Sequence, residues 1–188
     1  MSMDFEANSK MEMGSGLDAV AALVMGAKAK THYQIECVGA DGEVKWVEEF
    51  DNLVVTAGLN DLLDKTFKGS GYTAAWYVGL TASSPSFAAG DTMGSHGGWT
   101  EDQNYSQGAR PALTLGTVSS GSVNNSASKA VFSINATATI GGAFVATNAT
   151  KGGTTGTLYG GGAFAEGNRS VVNGDTLNVT VTLSLTAS

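Results

Sequence analysis

Four side chains that could bind a cation or move a proton fall within twelve residues: Asp91, His96, Glu101 and Asp102. Carboxylates and an imidazole are ordinary ligands for a divalent ion, and an ion held there could activate water for hydrolysis. Metal motifs, however, space their ligands so that they converge on one face, as two histidines four apart do on a helix. This set has no such spacing. The expectation is that these polar groups tie down a loop by bonding its backbone, with no metal and no cofactor. The other histidine, His32, opens a strand and is expected at the surface.

Nucleophiles fare no better. The lone cysteine, Cys37, has no basic neighbour in sequence and no helix N-terminus to lower its pKa. Its position in an alternating strand predicts a core residue. A serine nucleophile wants a Gly-x-Ser-x-Gly elbow; Gly14-Ser15-Gly16 is too short, and Gly94-Ser95-His96-Gly97 lacks the spacing. No glycine-rich run precedes Lys-Ser or Lys-Thr at the offset of a phosphate loop. The carboxylate pairs Glu48-Glu49 and Glu101-Asp102 are adjacent, so on a strand they point to opposite faces and do not flank one bond. The reading is a chain that is not an enzyme and has no catalytic residues. Trp76, Tyr77, Phe87, Trp99 and Tyr105 could make a sugar-binding platform, although such rings more often anchor cores and interfaces. A carbohydrate-binding role requires Trp99 and Tyr105 to be exposed. A metal-dependent hydrolase requires Asp91, His96 and Glu101 to meet.

Composition narrows the partners. The 188 residues carry a net charge of −7, and the 10 Lys and Arg never cluster, so neither nucleic acid nor an anionic membrane is an expected partner. Residues 1–70 hold 12 of the 17 acids, whereas 71–188 are nearly uncharged and hold 19 of the 26 glycines. Small residues with many glycines suit β-structure rich in turns. One cysteine permits no internal disulfide, which fits folding in a reducing cytoplasm. The opening residues lack the basic region of a signal peptide, so secretion by that route is not expected.

The elements that must position these groups are mostly strands. Residues 1–30 are expected to be an arm in which Leu17, Val20, Ala21 and Val24 fall at helical spacing as an apolar stripe, read either as a small helix packed on the domain or as part of an extended tail that docks on a partner. Residues 31–188 are expected to form one domain. Alternation over Thr31–Val38 and Glu43–Phe50 around Ala40-Asp41-Gly42 predicts a hairpin with Asp-Gly at positive φ. Thr56 is expected to cap a helix over 57–68, with Leu59, Leu62, Leu63 and Phe67 as its stripe and Gly69 as its stop. The run from Ala74 to Leu80 reads as a buried strand, and 82–109 as a long irregular loop of the kind that is often functional. Beyond Pro111, strands are expected at 112–118, 131–140 and 143–147. Gly141-Gly142 and Gly160–Gly162 are read as turns. A final strand from Leu177 to Leu185 follows the turn at Asn173-Gly174-Asp175. The fold class is mainly β: an antiparallel sandwich or jelly roll with one short helix.

A resemblance adds context. It is carried by Lys45-Trp46, by Asn52-Leu53-Val54-Val55-Thr56 with Gly58, and by Trp76-Tyr77-Val78-Gly79-Leu80. It continues through Asp91-Thr92-Met93, Ser95-His96, Gly98-Trp99 and Glu101 to Tyr105 and Arg110-Pro111. At these positions the chain resembles a widespread set of small proteins of tailed phages and prophages, labelled as virion structural proteins where they carry a label. The resemblance covers roughly residues 32–188. It implies a virion component made in the host bacterial cytoplasm, with other phage structural proteins as partners. The favoured role is head-associated, as capsid decoration or fibre attachment, in a homo-oligomer; the alternative is a tail or fibre accessory module that binds host-surface carbohydrate. Leu17, Val20, Val24, Trp99 and Tyr105 are the candidate interface residues.

Overall fold

A computed structural model describes residues 27–72 and 75–187. A compact body spans Ala29–Leu185. Residues 1–26, and with them Leu17, Val20 and Val24 of the expected arm, lie outside the described residues. The first described strand begins at Ala27, within the 1–30 span expected to be the arm.

Eleven strands and one helix are described. In chain order they are β1 (Ala27–Val38), β2 (Val44–Asp51), β3 (Leu53–Val54), α1 (Thr56–Phe67), β4 (Tyr77–Ala82), β5 (Glu101–Asp102), β6 (Ser122–Asn124), β7 (Ala130–Ser133), β8 (Ala138–Ala146), β9 (Leu158–Ala163), β10 (Arg169–Val171) and β11 (Thr176–Ala187). They build two antiparallel sheets. The first is ordered β2-β1-β11-β6, with β7 also on β11; the second is ordered β3-β9-β8-β4-β5, with β10 also on β8. The described residues form a β-sandwich, mainly β with one helix, as the composition and alternation predict.

Period-2 patterning explains the core. Tyr33, Ile35 and Cys37 of β1 and Leu177, Val179 and Val181 of β11 point inward from the first sheet. Val78, Leu80, Ile140, Val145 and Tyr159 meet them from the second. Tyr33 and Phe50 are register partners across the β1–β2 hairpin, and their rings stack with centroids 4.9 Å apart. The hairpin loop differs from the expected Asp-Gly turn. Gly42 alone has positive φ, at 83°, while its N–H donates to Gly39 O and Gly39 N–H donates to Glu43 O. This is a turn closed by a left-handed glycine, a geometry in which Asp41 keeps ordinary backbone angles.

The second sheet is covered on both sides. From Ile140 to Ala146, β8 is buried at every residue. Even-numbered Phe144 and Ala146 face away from the sandwich core into a second cluster with Val55, Met93, Trp99 and Leu158. Phe144 lies opposite Gly79 on β4 and Gly161 on β9. A Cβ at Gly79 would sit 2.2 Å from the Phe144 ring, and one at Gly161 would sit 2.3 Å from the Phe87 ring. Glycine here is space for aromatic rings laid over the strands. Gly160–Gly162 therefore run inside β9, and Gly141-Gly142 inside β8; the expectation that they are turns is corrected.

Three other expectations are corrected. Residues 131–140 are not one strand: β7 ends at Ser133, the chain turns a corner, and β8 begins at Ala138 in the other sheet. The inward sequence Phe132, Ile134, Ile140 continues through the corner because both sheets face the same core, so the sequence pattern carries no mark of the change. Residues 112–118 form no strand; the segment is anchored at its ends by Leu113 N–H to Trp76 O (2.7 Å) and Gly116 N–H to Asn124 O (2.8 Å). Thr56 is not a cap. Val55 is the N-cap, with no side-chain bond. Gly69, at φ 68°, does stop the helix as expected.

Gly142 provides a direct test of the close packing. A Cβ there would meet Gly162 O at 2.0 Å, a backbone atom that cannot rotate away. Gly142→Ala should lose about 1–3 kcal/mol in urea unfolding. Gly108→Ala, with open space around the new methyl, should stay within about 0.5 kcal/mol of wild type. Equal midpoints for the two variants would contradict the packing described.

Candidate functional site

The long segment after β4 is the covering layer of the second sheet, and its polar residues hold it there. The Asp91 carboxylate accepts Trp99 Nε1–H at 3.1 Å and Ala88 N–H at 3.1 Å. His96 stacks on Trp99 with ring centroids 3.7 Å apart, and its Nδ1 lies 3.0 Å from Trp99 O. Phe87 stacks on Trp99 at 5.0 Å, and Trp99 rests on Phe144 at 4.8 Å. Asp102 turns away to Asn104, accepting both its N–H and its amide.

Glu101 makes the strongest of these ties. Its carboxylate receives Arg110 Nε and Nη2 at 2.8 and 2.7 Å, a bidentate pair, and also Gly152 N–H at 2.7 Å. Arg110 also donates from Nη1 to Asn148 O and from Nη2 to Gly153 O, and its guanidinium lies 5.1 Å over the Phe144 ring. Both side chains are buried. A buried ion pair is tolerated when its charged atoms find hydrogen-bond partners, and here every Arg110 side-chain nitrogen and both Glu101 carboxylate oxygens have at least one.

Asp91, His96, Glu101 and Asp102 are thus neighbours in sequence with separate partners in space. Among the described residues no three or more His, Cys, Asp or Glu side chains gather as a metal site. Trp99 and Tyr105, expected to be exposed if they bind sugar or anchor an interface, are 5% and 0% exposed. That expectation is corrected. Trp99 is pinned between Phe144 and the rings of Phe87 and His96, while Tyr105 packs edge-on to Phe132 beneath Lys151, whose Nζ is 4.1 Å from the ring. Burial pushes the Tyr105 phenol above its usual range. His32 is half exposed beside Asp51 and Glu49, as a surface residue should be.

Two further buried carboxylates close other seams. Glu48 on β2 pairs with Arg169 on β10 and accepts Glu166 N–H. Asp175, at the start of the last strand, receives Lys45 Nζ at 2.6 Å and Val172 N–H at 2.9 Å, with the Cys37 thiol at 3.8 Å. Burial alone would raise the Asp175 carboxyl, but these donors outweigh it and hold it below the usual carboxylate range. The Cys37 thiol is pushed up to about 12 by burial and by the Asp175 charge. It is a core residue and a poor nucleophile.

Part of the outward surface is apolar. Helical spacing predicts one buried stripe of Leu59, Leu62, Leu63 and Phe67. The structure turns Gly58 and Leu62 inward instead, with Gly58 so close to β9 that a Cβ would meet Tyr159 O at 2.4 Å. Leu59, Leu63 and Phe67 are left exposed at 41, 56 and 81%. The available signal was Gly58 itself, because a glycine inside a helix costs about 1 kcal/mol against alanine and marks a face pressed on backbone. Beside α1 runs a groove of about 430 Å³ lined by Leu62, Trp76, Val145, Tyr159 and Leu183, with Tyr72, Val118 and Leu185 at its rim.

No protein-family model matches the chain, and no curated protein sequence is similar to it.

Two outcomes test the polar seams. Arg110→Met strands the Glu101 carboxylate and should cost about 3–5 kcal/mol in urea unfolding, whereas Arg110→Met with Glu101→Leu should recover part of the loss. A single variant as stable as wild type would contradict the buried pair. Because the Asp175 pKa is depressed in the folded state, its bonds stabilise the fold above its unfolded value near about pH 4, and that stabilisation is lost as pH falls through the folded value. Thermal melting of Asp175→Asn should therefore fall less steeply below about pH 4 than wild type; parallel acid limbs would refute it.

Proposed function

We propose that this chain is a non-enzymatic structural component of a tailed-phage virion, head-associated as capsid decoration or fibre attachment, and that it acts by docking on other proteins. The observation that carries the docking role is the exposed ridge Leu59–Leu63–Phe67 beside an apolar groove. An apolar surface of this kind on a chain of net charge −7 favours protein contacts over anionic partners.

The virion context rests on the resemblance of the segments from Lys45 to Pro111. Many residues that carry it serve as scaffold: Gly58 against Tyr159, Gly79 beneath Phe144, Asp91 on Trp99 and Glu101 on Arg110. A likeness concentrated in such residues supports a shared architecture more than a shared reaction. The buried acids each hold a seam closed, leaving the surface to mediate assembly. The carbohydrate alternative loses its motivation with Trp99 and Tyr105 buried.

Mass spectrometry of purified particles, with heads separated from tails, tests the proposal. The expected result is this chain in the head fraction at a fixed ratio to the capsid protein. Its absence from intact particles would overturn the proposal, and its presence only in tails would overturn the head assignment.

A further inference from the structure

We draw no further inference here: the strongest candidate, the apolar groove of about 430 Å³ between α1 and the end of β11, with the exposed row Leu59, Leu63 and Phe67 on the same helix, carries none because nothing in the structure shows what covers it.

Discussion

Phe144 lies across the second sheet with a glycine opposite it on each neighbouring strand, Gly79 on β4 and Gly161 on β9. Without side chains at those positions the ring can lie flat on the sheet, and Trp99 and the Arg110 guanidinium can stack above it. Much of the second half of the fold follows from this arrangement. A sheet buried on both faces needs a second covering layer. In α/β proteins that layer is a set of helices. Here it is an irregular segment pinned by Phe87, Met93 and Trp99.

An irregular layer leaves backbone groups unpaired, and these must find partners when buried. The charged residues of the segment meet that need. Asp91 bonds a backbone N–H and the Trp99 indole, Glu101 bonds Gly152 N–H, and Arg110 bonds two carbonyls on the loop between β8 and β9. The same logic recurs in the first sheet. Buried Asn125 offers its amide to Val179 O and its carbonyl to Val181 N–H, standing in for a strand neighbour beside the middle of β11. A residue set that invites a catalytic reading in one dimension is thus explained in three by hydrogen-bond satisfaction. The fold leaves Leu59, Leu63 and Phe67 of α1 exposed, and this is why the functional proposal is one of docking.

Local signals mark the first hairpin, the helix, its stop at Gly69 and the last strand in the sequence, because one face of each alternates or repeats strongly enough to stand alone. The β7–β8 corner is hidden for a definite reason. A strand that changes sheets while still facing one core keeps its alternation. The glycines of β8 and β9 read as turns because glycine marks both turns and close approach, and the two are told apart only by what lies opposite. For the candidate site, the absence of converging ligand spacing among Asp91, His96, Glu101 and Asp102 correctly points to loop-tying roles. The burial of Trp99 and Tyr105 is not legible, since it depends on partners such as Phe144 and Phe132 that are distant in sequence. The exposed face of α1 is legible in principle through Gly58, whose cost in a helix makes sense only against a neighbouring backbone.

The segment after β4 is a fixed structural layer and not a mobile loop that opens over a site; the assignment of its polar residues to scaffold depends on this. Native-state hydrogen exchange on the free chain measures it directly, because local opening and global unfolding give separable free energies. The amides of Ala82, Ser86 and Arg110, bonded to Thr100 O, Gly98 O and Ala149 O, should exchange only through global unfolding, at the same free energy as Val145 in β8. Exchange of Ser86 and Arg110 through a low-energy local opening, with Val145 still protected, would contradict the fixed layer and return the segment to the status of a functional loop.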